Sequence, residues 1–195
     1  MQISLVANLW PQARTSWLGK IALVILGTAL LTLSAKIKVP FYPVPMTMQV
    51  FAVLALSLAL GFRLGLAAVL LYLVEGAANL PVFAGTPERG LGIAYMMGPT
   101  GGYLLGYVFA AAAVGWLADL GWGRNWAKAI LAAYVGLMLI YVQGLLWLGT
   151  IIGWSGVLQN GFTPFILGDL AKMLVAALAV AGVWQVTNSQ LTRLE

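Results

Sequence analysis

Asp169 and Lys172 are the only charged residues of an otherwise apolar stretch, residues 163–181, that is long enough to cross a bilayer as a helix. Three positions apart, their side chains lie on neighbouring positions of one helix face. A charge inside a membrane is costly and usually faces a partner, a cavity or a substrate. Two interpretations stay open, an ion pair that neutralises itself and part of a binding site for a small polar molecule.

The residue types that are missing exclude several kinds of chemistry. The sequence contains no cysteine and no histidine, which excludes thiol nucleophiles, disulfides, Cys/His metal sites and histidine bases. A membrane enzyme that uses Asp169 and Glu75 as paired carboxylates remains an alternative, although few residue types suited to catalysis are left for it. The net charge of +5 includes no basic run, so it indicates membrane topology rather than nucleic-acid binding.

The composition identifies the elements that must position these residues. Of the 195 residues, 62% are hydrophobic and 8% are charged, whereas soluble domains are about 45–50% apolar and about 25% charged. A span needs roughly 20 mostly apolar residues. We therefore predict an all-α integral membrane protein with one domain, residues 1–195, and six transmembrane helices in one bundle. After a short N-terminal arm, residues 1–17, the predicted helices cover approximately residues 18–36, 47–61, 64–80, 99–119, 126–152 and 164–186.

Three features of the chain refine these boundaries. Arg63 marks a tight turn between the second and third helices. Glu75 and Asn79 are four residues apart near the end of the third helix, so we expect them to share a face. Thr163 and Pro164 suit the N-cap and the first position of the sixth helix.

Two connecting segments are unusually apolar for loops. Residues 36–49 contain three prolines together with Phe41 and Tyr42, and proline forbids a regular helix there. Residues 81–97 are rich in glycine and proline and include Phe83. We expect both loops to cover the mouth of the bundle, although a stiff interfacial connector remains an alternative for the first.

The distribution of basic residues predicts the orientation. With six spans both termini lie on one side, and six Lys and Arg side chains then fall on that side against three on the other. Because an excess of Lys and Arg marks the cytoplasmic face, we predict that both termini are cytoplasmic. The terminal-side residues are Arg14, Lys20, Arg63, Arg124, Lys128 and Arg193, and the outer ones are Lys36, Lys38 and Arg89.

In this orientation the polar residues within the spans gather at the outer end of the bundle. Asp169 lies roughly 9 Å into its helix at ~1.5 Å per residue. The same level is predicted for Gln49, Glu75, Asn79, Thr100, Tyr103 and Gln143. Polar groups at one end only predict a lidded pocket open to the outside, because a channel needs them along its whole depth.

Four motifs stand out in the sequence: Lys-Val-Pro-Phe-Tyr-Pro-Val-Pro-Met-Thr-Met-Gln at 38–49, Leu-Pro-Val-Phe-Ala-Gly at 80–85, Gly-Pro-Thr-Gly-Gly-Tyr at 98–103 and Gly-Asp-Leu-Ala-Lys at 168–172. Together they resemble the BioY family, the biotin-specific S-components of energy-coupling factor (ECF) transporters. The resemblance covers about residues 20–182. It implies a six-helix bundle in a prokaryotic cell membrane that captures biotin from outside and, with its partners, releases it inside.

The resemblance also implies partners, a transmembrane coupling protein (T-component) and ABC-type ATPases. The sequence has no Gly-rich phosphate loop, so any ATP would be used by those partners, and we expect no cofactor in this chain. A self-sufficient carrier for biotin or another small metabolite stays open as an alternative function.

The chemistry of biotin assigns expected roles to the candidate residues. Asp169 suits the ureido N–H groups, because charged acceptors form the stronger hydrogen bonds, and Asn79 offers both a donor and an acceptor. Lys172 is expected to contact the carboxylate, although it alternatively only neutralises Asp169. The wall and lid candidates are Gln49, Glu75, Thr100, Tyr103 and Gln143, with Phe41, Tyr42 and Phe83 over the apolar ring.

Overall fold

The computed structural model describes residues 5–10, 16–39 and 42–191. Five of its helices are long and apolar enough to cross a membrane, and a pair of two-residue antiparallel strands joins Lys38 to Thr47. The helices are α1 (Leu5–Leu9), α2 (Trp17–Lys36), α3 (Gln49–Ala77), α4 (Gly92–Met96), α5 (Gly101–Asp119), α6 (Trp126–Ile152), α7 (Val157–Gly161) and α8 (Ile166–Leu191), and the strands are β1 (Lys38–Val39) and β2 (Met46–Thr47).

Helix α3 folds back on itself at Gly61. Gly61 has φ 77° and ψ −174°, which is not helical, and Gln49 Nε2 donates to the Tyr72 hydroxyl at 2.8 Å, 23 positions along the chain. On a straight helix these residues would be about 35 Å apart at ~1.5 Å per residue. Helix α3, which is one of the five long helices, therefore consists of two antiparallel halves, residues 49–60 and 62–77.

The fold-back lies at the end of the bundle that we call the turn end. There the Phe62 N–H donates to Oδ2 of Asp119 at 3.1 Å, which places a carboxylate at the N-terminus of the second half of α3, where it is favourable. The guanidinium of Arg124 lies 4.6 Å from the ring centroid of Trp184 and joins the α5–α6 connection to α8.

Small residues let the long helices approach closely. A Cβ on Gly106 of α5 would lie 2.7 Å from Ile140 Cα of α6, and a Cβ on Gly27 of α2 would lie 2.8 Å from Ala68 Cβ of α3. Close backbone approach of this kind is how membrane helices gain packing energy without a hydrophobic drive between them. α5 packs between α3 and α6, so it forms the centre of the bundle.

Three connections form the opposite end, which we call the loop end. They are the first loop (residues 37–48), the second loop (residues 78–100) and the α6–α8 connection (residues 153–165). The described part of the predicted N-terminal arm contains α1, which packs against α3 and α8 and whose Leu5 is buried.

Two expected local features are wrong. The third predicted helix ends at Ala77, and Asn79 has φ 69°. The Asn79 N–H donates to Gly76 O and the Leu80 N–H to Glu75 O, both at 3.1 Å, which is the Schellman pattern with asparagine in the left-handed position. Glu75 and Asn79 therefore do not share a helix face.

The second wrong expectation concerns the start of the last helix. α8 begins at Ile166, after Pro164 rather than with it. The Thr163 hydroxyl donates back to Leu158 O at 3.1 Å, so this side chain closes the end of α7 and is not the N-cap of α8.

Candidate functional site

A cavity of about 550 Å³, its open mouth included, lies at the loop end of the bundle. Ligand pockets are usually lined by mostly apolar side chains with a few polar groups that fix the ligand's orientation. We call it the binding cavity. Its walls come from both loops and from α3, α5, α6 and α8, and they comprise Val44, Pro45, Met46, Thr47, Gln49, Val50, Ala84, Tyr95, Thr100, Tyr103, Leu104, Tyr107, Ile140, Tyr141, Phe165 and Asp169.

Asp169 is the charged residue of this wall, and both of its carboxylate oxygens are bonded. Oδ1 accepts from Lys172 Nζ at 2.8 Å and Oδ2 from the Tyr141 hydroxyl at 2.8 Å. The residue is 7% exposed and lies in the first turn of α8, where the helix dipole favours a negative charge. A carboxylate has about four acceptor positions, so Asp169 keeps the capacity to accept from a ligand.

Lys172 fastens the first loop to α8. Besides its ion pair with Asp169, its ammonium donates to the Thr47 carbonyl oxygen at 2.7 Å. Thr47 belongs to β2, and Thr47 and Met46 both line the cavity. Lys172 therefore holds a wall segment in place as well as neutralising the carboxylate.

Four tyrosines give the cavity its polar character. Tyr103 donates to Gly161 O at 2.8 Å, and its ring meets that of Tyr141 at a centroid distance of 6.5 Å. Tyr107 lies one turn along α5 on the same face, and Tyr95 comes from α4. These rings offer apolar faces for a ligand ring and hydroxyl groups for its polar edge.

A hydrogen-bonded chain orients Gln49 in the wall. The Thr47 hydroxyl donates to Gln49 Oε1 at 3.2 Å, and Gln49 Nε2 donates to the Tyr72 hydroxyl at 2.8 Å. Tyr72 in turn donates to Val82 O in the second loop at 3.2 Å. This chain fixes which end of the carboxamide is the acceptor and joins the cavity to the second loop.

The second loop is packed into the bundle by Phe83. This ring is fully buried between Tyr72 and Tyr95, with centroid distances of 5.3 Å and 5.0 Å, and it occupies the space above Gly76. Tyr95 donates to Ala84 O at 2.8 Å. Burial raises the pKa of Tyr95, so its phenol stays protonated and remains a donor.

The structure brings four of the predicted site residues to the binding cavity: Gln49, Thr100, Tyr103 and Asp169. Lys172 contacts the wall from behind, as described above. Phe83 is a core residue and not a cover for the mouth, because the absence of a side chain at Gly76 leaves room for its ring.

The other predicted residues lie elsewhere. Tyr42 is 88% exposed, Gln143 is half-buried on another face of α6, and Glu75 and Asn79 lie at the end of α3 outside the cavity wall. Phe41 lies outside the described residues.

Sequence reasoning missed Tyr95, Tyr107 and Tyr141 as wall residues. A signal for Tyr107 was present, because it follows Tyr103 by four positions and so shares its helix face. Tyr141 gave no comparable signal, since its contact with Asp169 joins two helices separated by 28 positions in the chain.

A second cavity of about 320 Å³ adjoins the first and shares Tyr95 and Thr100 with it. Arg89 is its charged wall residue, and its Nη1 donates to Pro43 O of the first loop at 3.3 Å. The remaining walls are Pro43, Ala94, Gly98 and Pro99. Within the described ranges, no group of three or more acidic side chains is placed to hold a metal ion.

Comparison with known proteins supports the sequence resemblance. A model of the BioY family matches residues 7–189. The probable biotin transporter BioY of Pyrococcus horikoshii is 38% identical over 82% of this chain and 92% of its own length. The biotin transporter BioY of Thermotoga maritima is 40% identical over 77% of this chain and 87% of its own. These are names of transport proteins, in agreement with the expectation of a transport subunit rather than an enzyme.

The fold has a counterpart among solved structures. The S-component for biotin from an ECF-type ABC transporter matches with a TM-score of 0.73 and 24% sequence identity, over 86% of this chain and 92% of that one. The chain therefore has the S-component fold, and its several long apolar helices make it a membrane protein.

Proposed function

Because this chain belongs to the BioY family, we propose that it is the biotin-binding membrane subunit of an ECF-type uptake transporter. The observation that carries the proposal is the binding cavity, which combines the ion-paired carboxylate of Asp169 with tyrosine walls. Relatives named as biotin transporters are 38% and 40% identical to this chain. Biotin matches this cavity chemically, since it joins a polar ureido ring to an apolar sulfur ring and a carboxylate tail.

We place the ureido ring of biotin at the inner wall formed by Asp169 and Gln49. The two ureido N–H groups need strong acceptors, and the Asp169 carboxylate is the strongest one in the wall. The ureido carbonyl needs a donor, which the phenol hydroxyl of Tyr107 supplies, since the Tyr103 hydroxyl already donates to Gly161 O. The sulfur ring then lies against aromatic faces and the apolar side chains of the first loop.

The carboxylate of biotin has two candidate partners in this arrangement. Lys172 is close to Asp169 but is already bonded to it and to Thr47 O. Arg89 lies in the second cavity, which shares its wall residues Tyr95 and Thr100 with the binding cavity. A guanidinium presents five donors in a planar fork that suits a carboxylate, so we favour a tail that points toward Arg89, with Lys172 as the tested alternative.

We propose that the chain crosses the membrane six times, with the two halves of α3 as separate spans and the loop end outside. Lys20, Arg63, Arg124 and Lys128 then lie on the inner side, and the excess of basic residues there suits the cytoplasmic face of a prokaryotic plasma membrane. Both termini are cytoplasmic in this arrangement, and the binding cavity opens to the exterior.

Energy for uptake comes from other subunits in this proposal. The sequence lacks a Gly-rich phosphate loop, so a T-component and ABC-type ATPases would couple ATP hydrolysis to this chain. The test is uptake of radiolabelled biotin by cells without their own biotin transport. We expect uptake when this chain is produced together with its T-component and ATPases, and loss of that uptake when the ATPases are inactivated. Equal uptake with inactive ATPases would instead support a self-sufficient carrier.

A further inference from the structure

Lys36, the last residue of α2, binds several backbone carbonyl groups of the second loop through its ammonium group. Its Nζ donates to the carbonyl oxygens of Pro81 at 2.6 Å, Phe83 at 3.0 Å and Thr86 at 3.3 Å, and it lies 3.1 Å from the Thr86 hydroxyl. Three carbonyl dipoles from six consecutive residues thus point at one place. Such convergence is unfavourable without a cation, because the oxygens repel one another and lose their hydrogen-bond donor.

Two hydrogen-bonded routes run from this loop to the binding cavity. Val82 O accepts from the Tyr72 hydroxyl, which accepts from Gln49 Nε2 in the cavity wall. Ala84 O accepts from the Tyr95 hydroxyl, and Ala84 and Tyr95 are wall residues themselves. The positions of these two carbonyl oxygens therefore set the orientation of polar groups that face a ligand.

We propose that Lys36 is a positioning residue for the binding cavity. It lines neither cavity, so it acts by fixing residues 81–86, which in turn orient Tyr72, Tyr95 and the carboxamide of Gln49. Lys36 is also the last residue of α2. A displacement of α2 would therefore move residues 81–86 and change how long the ligand is retained. This inference rests on the proposed function, since it concerns retention of the ligand that the cavity binds.

The primary test compares Lys36→Met with Lys38→Met in the purified full chain. Lys38 is an exposed residue of β1, two positions further along the chain, that lines neither cavity, and its substitution removes the same charge. For Lys36→Met we expect biotin to dissociate about tenfold faster, as for loss of a hydrogen-bonded charge, with association changed by no more than about twofold. Amide hydrogen exchange in residues 82–86 of the biotin-free protein should also be faster. Lys38→Met should match the unmodified chain in both measurements.

A double-mutant cycle tests the route through Tyr72. Tyr72→Phe removes the hydroxyl that joins Gln49 to Val82 O, so Lys36→Met should accelerate dissociation less in that variant than in the unmodified chain. Additive effects would overturn this route, because residues that act in series are not independent.

Unchanged biotin dissociation and unchanged loop exchange in Lys36→Met would overturn the inference. If Lys36→Met does not fold, Lys36→Gln keeps most of the side-chain length and loses the charge, and the same criteria apply to it. Failure of the unmodified chain to bind biotin would instead defeat the proposed function. The exchange measurement would still decide whether Lys36 fixes the second loop.

Discussion

Tyr141 of α6 and Asp169 of α8 are joined by a hydrogen bond of 2.8 Å across the wall of the binding cavity. The opposite oxygen of the same carboxylate accepts from Lys172. Asp169 is therefore held from two sides before any ligand arrives, and a preorganised acceptor loses little conformational freedom on binding. The sequence alone indicated the partner on the same helix but not the partner on another helix.

Asp169→Asn should weaken biotin binding by about 1.5–3 kcal/mol, because a charge-assisted hydrogen bond to the ureido ring becomes a neutral one. Titration calorimetry on the purified variant measures the change. Glu75→Gln is the matched control, since Glu75 is a carboxylate outside the cavity wall and its loss should leave the affinity unaltered. An Asp169→Asn variant with the affinity of the unmodified chain would refute the role of Asp169.

Tyr141→Phe should weaken biotin binding by about 1 kcal/mol, since it removes one of the two hydrogen bonds that orient Asp169 and keeps the aromatic ring. The ring contact with Phe162, at a centroid distance of 5.0 Å, is retained. Tyr134→Phe is the control on the same helix, because Tyr134 is 45% exposed on the outer surface of the bundle. Equal affinities for the two variants would show that orientation by Tyr141 does not matter.

The partner of the biotin carboxylate can be found by comparing biotin with its neutral methyl ester. We expect Arg89→Met to weaken binding of biotin by about tenfold and binding of the ester much less, because a charge-assisted pair is lost only with the free acid. Lys172→Met should weaken both ligands similarly, since it disturbs Asp169 and the first loop. If Lys172→Met instead weakens binding of biotin much more than binding of the ester, the carboxylate lies at Lys172.

Gly76→Ala should lower the stability of the protein by about 1–3 kcal/mol, the usual result of overpacking a filled core. The added Cβ would run into the ring of Phe83, which is held between two tyrosines. Thermal unfolding in detergent measures the effect. At Gly182, by contrast, a Cβ would lie 3.4 Å from a ring carbon of Trp126, so Gly182→Ala should unfold near the temperature of the unmodified chain. Similar losses at both positions would argue against tight packing of Phe83.

The absence of cysteine from the sequence allows a direct test of the six proposed crossings. With Tyr42→Cys and Arg63→Cys made separately, a membrane-impermeant maleimide should label intact cells only at position 42. Position 63 should react after the cells are opened, because it adjoins the fold-back of α3 on the inner side. Labelling of position 63 in intact cells would contradict the proposed topology.

Features that depend on periodicity and composition were predictable from the sequence. Apolar runs of membrane length gave the helical class, and the break at Gly61 lies where the turn before Arg63 was expected. The charge of Asp169 within an apolar helix pointed to the cavity, and Gln49, Thr100 and Tyr103 line it as well. These inferences needed only the cost of polar groups in a membrane and the geometry of a helix.

The remaining features depend on contacts between distant parts of the chain. Asn79 has a polar side chain near the loop end, but its left-handed conformation ends the helix, and the side chain does not line the cavity. Phe83 resembled a lid residue, yet the space above Gly76 makes it part of the core. Lys36 was counted only as an outer charge, because the carbonyl groups that it binds lie 45 to 50 positions away.

The central claim is tested most directly by titrating the purified, unmodified chain with biotin. The account predicts saturable binding of one biotin per chain with a dissociation constant below about 1 μM, equivalent to about −8 kcal/mol or stronger. The Asp169→Asn variant should bind biotin more weakly in the same titration. No detectable binding at biotin concentrations of about 100 μM, about 100-fold above that limit, would contradict the account.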